Sequence, residues 1–399
     1  MAKVLIVAPY VPHPTQHGGA IRSRVLIEAL REDHEVHLLA AVASRADEDN
    51  AAALAAEIGI VVRPIPAHSA PRAGFLKKLG KWLVGESEIV GRRWVRARSK
   101  AAVKRLVDEE RFDLCIVDST WALPVGPPDS QLLFLHNLEY SMFARDEEGG
   151  RDWSDRLTRA IESRRLRDYE RKAIKHHALT VVVSDHDRLL AQELAPKAHV
   201  EVVANSVDLD RLVPLEPPSS GMPMRILFVG SLDYPPNLEA VTELVEKHLP
   251  ALRVAFPDLV VRVVGKDPHG SGARFSGVAG VEIVGAVADV ATYYRDSHAV
   301  YLPIRNGGGT RIKILEAWAL GVPVLSTSVG CEGLQAQDGV HLRRFETPAE
   351  GVQALQGLES ESATLRANGR ALVESHYSHA AAIARLKTLV NELLGAQAG

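Results

Sequence analysis

RNGGGTRIKILEAWALGVPVLSTSVG, residues 305–330, decides the fold, because it writes a strand end, an anion-facing loop, a helix and the next strand in one passage. Gly307, Gly308 and Gly309 let the chain turn sharply and bring peptide N–H groups near a ligand where a helix begins. Thr310 is placed to cap or open that helix. Ile312, Leu315, Trp318 and Ala319 recur at helical spacing, so one face docks on the domain and leaves Lys313 and Glu316 near the helix start. Gly321 and Pro323 stop the helix, and Pro323 to Ser326 opens a buried strand.

A helix N-terminus carries roughly half a positive charge, and Arg311 and Lys313 on its first turn add two full charges at the same spot. That focus suits a diphosphate. Glu316 repels phosphate; its natural partners are the vicinal hydroxyls of a ribose or hexose, so the set points to a nucleotide-sugar. The plainer alternative is an ordinary glycine loop followed by a solvated charge pattern on a surface helix.

Outward from this passage, strand and helix patterns alternate, the mark of parallel sheets with crossover helices. Strands are expected at 3–8, 35–40, 60–64, 113–117, 132–135, 180–183 and 200–203. PLEPPSSGMP, residues 214–223, reads as a linker. The pattern restarts at 225–229, 259–264, 282–284, 299–302 and 324–326. Two doubly wound domains result, with ligand at the carboxyl ends of the strands. The 399 residues, 46% hydrophobic, are ample for two or three domains with real cores.

Other classes fall away. A net charge of −3 argues against a general nucleic-acid binder. Two cysteines give no disulfide framework and suit a reducing compartment. No apolar run approaches the roughly 18 residues of a membrane span, and MAKVLIVAP enters a strand directly, so a soluble or peripheral cytoplasmic protein is expected. Gly18 and Gly19 follow the first strand and precede a helix carrying Arg22, a second anion-facing element. A dinucleotide-binding oxidoreductase needs G-x-G-x-x-G and an acid ending strand two; here the loop is HGGAIR and strand two ends in Leu-Leu-Ala-Ala. His176-His177 lacks metal-ligand spacing and no acidic pair for a metal-bridged diphosphate stands out, so neither a metal nor a bound cofactor is expected.

These segments resemble the family-4-type retaining glycosyltransferases of the GT-B fold. The pattern GGGT-R-x-K-x-x-EA-x-A-x-G-x-PV reads from Gly307 to Val324. The likeness runs in order through KVLIVAPYVPHPTQHGGAIR at 3–22, HNLEYSMF at 136–143, VVVSDHDR at 181–188, VVANSVD at 202–208 and FVGSLDYPPN at 228–237. It implies an α/β protein of two Rossmann-like domains facing across a cleft. Residues 1–210 would form the acceptor side, with a C-terminal helix from about 378 to 399 crossing back, and 211–377 would hold the donor. The activity implied is transfer of a monosaccharide, with retention, from a nucleoside-diphosphate sugar to a sugar, lipid-linked or small-molecule acceptor in glycan, polysaccharide or glycolipid synthesis. By the same resemblance His136 contacts the transferred sugar, Gly18, Gly19 and Arg22 approach the donor phosphates, and backbone around Val284 and Gly285 takes the base. Tyr234 to Asn237 would start a cleft-lining helix with Asn237 as its cap. Glu139 reads either as an acceptor-side acid or as a helix-start acid.

The departures carry their own information. After the strand RILFVG the family places Arg next to the glycine and Lys five residues later, where this chain has Ser231 and Pro236. The first of the family's two glutamates is here Gly308. The clamp lacks two cations and one anion, so Arg311 and Lys313 are expected to supply the missing positive charge from the other side of the same phosphate site. Without such replacement the chain reads instead as a non-catalytic glycosyltransferase-like subunit, with a GT-B-fold epimerase as a further alternative.

From Arg72 to Arg105 eleven Lys or Arg stand against Glu86 and Glu88, a local charge of +9 in an acidic chain. FLKKLGKWLV puts Phe75, Leu76, Leu79, Trp82 and Leu83 along one helical face and Lys77, Lys78 and Lys81 on the other, with Arg92 and Arg93 following. Either this face packs on the first domain, or the segment lies on an anionic membrane or binds an anionic acceptor. Each basic residue near an anionic bilayer contributes about 1 kcal/mol. The membrane alternative therefore expects the protein to float with anionic liposomes at low salt; failure to float removes it.

Overall fold

The computed structural model describes every residue except 16, 68–95, 147–152, 220, 309 and 399. Met1–Asn205 with Ala382–Gly399 forms one compact unit, and Ser206–Ala381 a second. In the first, β1 (Lys3–Ala8), β2 (Glu35–Val42), β3 (Val61–Pro66), β4 (Leu114–Asp118), β5 (Leu132–Phe134), β6 (Leu179–Val182) and β7 (Val200–Val202) pair in the order β3-β2-β1-β4-β5-β6-β7. Every pairing is parallel. Val4, Ile6 and Ile116 enter one buried cluster while Leu5, Val7 and Val117 enter another, so the sheet is apolar on both faces. Helices covering both faces demand this. Strand order reverses between β1 and β4, which opens a crevice at their carboxyl ends.

Helix Gly18–Arg31 starts at the two glycines expected to precede it. His17 is the N-cap and accepts from the Ala20 N–H at 3.2 Å, which puts Gly18 and Gly19 inside the first turn. Arg22, expected to approach phosphate, is 4% exposed. Its guanidinium donates to the carbonyls of Leu135 (3.2 Å), Val203 (2.6 Å) and Val182 (3.3 Å) and lies 4.2 Å from the Phe134 ring. Buried strand-end carbonyls need donors, and this arginine satisfies three of them.

In the second unit β8 (Arg225–Val229), β9 (Val260–Val264), β10 (Val281–Gly285), β11 (Ala299–Leu302), β12 (Val324–Ser326) and β13 (Arg343–Arg344) follow the order β10-β9-β8-β11-β12-β13. These pairings are parallel too, and the reversal falls between β8 and β11. The two-residue β13 carries no apolar run, so periodicity gave no sign of it. The start of the expected linker is fastened to this unit: the Leu215 N–H reaches the Leu320 carbonyl at 2.9 Å, Arg366 holds the Leu215 carbonyl, and Arg370 holds Leu212 at 2.8 Å.

The last helix, His379–Ala398, joins the first unit from Ala382 onward. Leu386, Leu389 and Val390 share a buried cluster with Leu26 and Leu30 of helix Gly18–Arg31, and Lys387 reaches Glu32 at 2.7 Å and Asp33 at 3.0 Å. Leu386 is fully buried, so Leu386→Ala should cost about 2–5 kcal/mol in urea unfolding. An unchanged midpoint would show that this helix is not part of the first core.

Candidate functional site

The helix that carries the charged motif spans Ile312–Ala319, and its N-cap is Arg311, not Thr310. Thr310 is buried instead, at 7% exposure. The helix packs inward through Ile314, Leu315, Ala317, Trp318 and Ala319, while Ile312 is only partly covered. Arg311 turns its guanidinium back on the loop, donating to the carbonyls of Gly308 (2.5 Å) and Asn306 (3.4 Å). The Asn306 side chain accepts from the Gly307 N–H at 2.7 Å. Gly307 has φ +113°, open to glycine and strained for other residues. Gly309 lies outside the described residues.

Lys313 sits at the centre. Its ammonium donates to Asn237 Oδ1 at 2.8 Å and lies 4.5 Å from the centre of the Phe228 ring. Asn237 in turn donates to the Ser231 carbonyl at 2.9 Å. Helix Pro235–Glu243 is capped by Tyr234, without a side-chain cap bond, so Asn237 is not its cap but the residue that orients Lys313. A Cβ on Gly230 would stand 2.7 Å from both Lys313 Nζ and Asn237 Nδ2, so a side chain there would push the amine and the amide from their present positions. Ser231 lies in the loop after β8, and Pro236 in the first turn of the helix after it.

One turn on, Glu316 accepts from the buried Tyr294 hydroxyl at 3.4 Å, and the same hydroxyl lies 3.3 Å from the Lys313 carbonyl. Burial pushes the Glu316 carboxyl up to about 7 against the pull of Tyr294 and Lys313. Burial first, and Arg311 second, push Lys313 down to about 7, with Glu316 opposing. Arg305 is neutralised at the loop's entry by Glu243 (2.9 Å) and Glu346. Val284 and Gly285 end β10 partly exposed, the Gly285 carbonyl taken by the Gly265 N–H at 2.9 Å.

In the first unit His136 follows β5, with Nε2 2.6 Å from Asp118 Oδ1 and Nδ1 3.2 Å from the Tyr10 hydroxyl. Asp118, fully buried, also accepts from the Ser23 hydroxyl at 2.5 Å. The sequence pattern ended this strand at Val117 and passed over Asp118. The signal available was an aspartate closing the apolar run LCIVD beside a reversal of strand order. Glu139 is a helix-start acid that accepts from Trp121 Nε1 (3.0 Å) and Asn137 (2.7 Å). Glu170 receives the N–H groups of Glu139 (2.8 Å) and Tyr140 (3.1 Å) and the Thr120 hydroxyl, and burial raises its carboxyl to about 7.

Lys77, Lys78, Lys81, Trp82, Arg92 and Arg93 lie outside the described residues. Among the described residues no three His, Cys, Asp or Glu gather to hold a metal ion, and no helix is long and apolar enough to cross a membrane.

The chain matches the family of glycosyl transferases group 1 over residues 223–360. Its fold is of the GT-B type: sucrose-phosphate synthase from Thermosynechococcus elongatus is 18% identical with a TM-score of 0.73, over 99% of this chain and 100% of that one. HepE of Anabaena, solved with UDP-glucose, is 16% identical with a TM-score of 0.68, over 98% and 100%. The pneumococcal O-GlcNAc transferase GtfA, solved with UDP and GlcNAc, gives 13% and 0.66, over 98% and 99%. An uncharacterized 44.6 kDa protein in the cps region of Klebsiella pneumoniae is 21% identical over 365 residues, 86% of this chain and 87% of that protein.

The two shifted groups separate by pH. Lys313 holds its proton to about 10.5 in the unfolded chain but only to about 7 when folded, so stability rises with pH between these values. Glu316 has the opposite sign in a lower window: its folded value is raised, so stability falls as pH climbs from 4.5 to about 7. Urea midpoints measured from about pH 7.5 to 9.5 should climb, and Lys313→Met should flatten the climb. An equal slope in the variant would mean the amine is not buried.

Proposed function

We propose that this glycosyltransferase moves a monosaccharide, with retention, from a nucleoside-diphosphate sugar to an acceptor hydroxyl in polysaccharide or related glycan synthesis, without a metal. The observation that carries this is Lys313, held by Asn237 against Gly230 at the mouth of a helix that also bears Glu316. The relatives solved with UDP and sugars support a UDP-sugar donor, and the cps-region relative supports a polysaccharide product.

The chemistry follows from charge. Breaking the bond between the anomeric carbon and the diphosphate leaves negative charge on phosphate oxygens and oxocarbenium character on the sugar. Lys313 meets that phosphate charge from the helix side and supplies the cation that Ser231 and Pro236 do not. Arg311 contributes differently: its guanidinium holds the Asn306 and Gly308 carbonyls, so it shapes the glycine loop that offers N–H groups while adding its charge nearby. Glu316, one turn deeper, takes sugar hydroxyls, and Tyr294 keeps one of its oxygens in place. The leaving phosphate receives the acceptor's proton on the face it departs from, which yields retention. Val284, Gly285 and Tyr234 complete the donor pocket at the ends of neighbouring elements, and the first unit, with His136, takes the acceptor side.

Donor affinity tests the binding half. UDP at 100 times its dissociation constant should stabilise the protein by about 2.7 kcal/mol in a thermal shift. Turnover tests the catalytic half: with UDP-glucose or UDP-N-acetylglucosamine at saturation, Lys313→Ala and Arg311→Ala should each slow UDP release at least about tenfold, or about 1.4 kcal/mol. EDTA should leave the rate unchanged. Normal turnover in both variants would refute cation replacement, and UDP binding without any UDP release would favour a non-catalytic subunit.

A further inference from the structure

At the carboxyl ends of β1, β4 and β5 a chain of polar contacts runs through one imidazole. Asp118 is fully buried and takes two short contacts, His136 Nε2 at 2.6 Å and the Ser23 hydroxyl at 2.5 Å. The buried Arg22 lies within electrostatic reach of Asp118 and Asp187, and their charge offsets the burial that weakens its hold on its proton. The two Asp118 oxygens each face one donor, Oδ2 the Ser23 hydroxyl and Oδ1 His136 Nε2, which places the proton of the second contact on Nε2. Nδ1 is left with its lone pair, turned toward Tyr10. That contact is longer, 3.2 Å, and the ring edge is braced by Phe134 at 6.0 Å between centroids.

The backbone is bent to keep this arrangement. Ser119, directly after Asp118, has φ +78°, the one non-glycine residue with positive φ among those described. Such strain persists only where the surroundings over-determine it, and it gathers at working sites. On the opposite side Gly19 leaves no room for a side chain: a Cβ there would stand 2.3 Å from the Tyr10 hydroxyl and 3.0 Å from His136 Nδ1. The Gly19 backbone thus packs directly against the Tyr10 hydroxyl and Nδ1, and an approaching hydroxyl would have to take the place of Tyr10.

We propose that Asp118 is a positioning residue: with Ser23 it fixes His136 as the Nε2–H tautomer, so that Nδ1 is presented as a hydrogen-bond acceptor for a hydroxyl of the bound substrate, with Tyr10 holding that position until it arrives. This rests on the proposed function only in calling the hydroxyl a sugar's. Asp118 never touches the substrate. Its carboxylate does to His136 what a buried carboxylate does in any fixed acid–imidazole pair, setting which nitrogen is free. An asparagine at 118 would accept from Ser23 through its oxygen and donate to Nε2 through its amide, which drives the imidazole proton to Nδ1 and turns the acceptor into a donor.

The test reads the ring itself. In ¹⁵N-labelled full-length protein without ligand, long-range ¹H–¹⁵N spectra identify the His136 signals by their loss in His136→Asn. The wild type should show a neutral ring protonated at Nε2, and Asp118→Asn should show protonation moved to Nδ1. A wild-type ring protonated at Nδ1 overturns the proposal whether or not the variant folds, and so does an Asp118→Asn ring that keeps its proton on Nε2. A second readout uses UDP release from UDP-glucose. Asp118→Asn should lower kcat at least about tenfold with the KM for UDP-glucose little changed, and adding it to His136→Ala should cost no more than about threefold further, because one residue acts through the other. Full additivity would overturn the proposal. If the wild type releases no UDP from any donor, the proposed function fails while the ring spectra still decide the role of Asp118.

Discussion

A lysine ammonium removed from water must be compensated, and everything in the second unit's site follows from how Lys313 is. Among the described residues its ammonium has one hydrogen-bond partner, Asn237, beside the face of Phe228, and burial first and Arg311 second loosen its hold on its proton. A cation kept this poorly satisfied is poised for an anion, because a phosphate oxygen would restore both its charge balance and its missing hydrogen bonds. The surrounding parts make the same demand. A side chain on Gly230 would push the amine from its position, and Asn237 has left the capping position to hold it.

The first unit repeats the plan with the signs exchanged. There the buried charge is a carboxylate, Asp118, and its compensation comes from Ser23, His136 and the nearby Arg22. Both charges sit beside the place where strand order reverses, β1/β4 in one sheet and β8/β11 in the other. At a reversal the flanking crossovers run to opposite faces, so no helix covers the strand ends and polar groups there can meet a ligand. Glu170 is a quieter case of the same economy. Fully covered, it serves two orphan N–H groups of helix Glu139–Asp146 and orders the segment between His136 and Tyr140.

Arginines illustrate how burial decides role. Arg22, Arg311 and Arg370 all spend guanidinium N–H groups on backbone carbonyls, at strand ends, in the glycine loop and at the end of helix Ile312–Ala319 respectively. A planar donor fork suits several carbonyls at once, which a lysine cannot imitate. In sequence the three look alike, as cations near glycines or helices. Lys313 instead spends its amine on a side chain, Asn237.

The alternation of apolar strands and amphipathic helices, the doubly wound class and the charged helix mouth at 307–316 can be read from residue order, because those depend on periodicity and on backbone chemistry that neighbours in the chain share. Strands such as Lys3–Ala8, Arg225–Val229 and Ala299–Leu302 are legible to the residue, since their inner residues are buried on both faces and read as short apolar runs. Pairings between residues far apart in the chain came from the packing alone: Lys313 with Asn237, 76 positions away, Arg22 with the carbonyls of Leu135, Val182 and Val203, and Asp118 with His136 and Ser23. Thr310 and Asn237 lost their capping roles for the same reason, as Arg311 and Tyr234 stand at those helix starts. A side chain's partner is set by which strand ends the sheet order brings together, and that order is written in the packing of whole elements rather than in any local pattern.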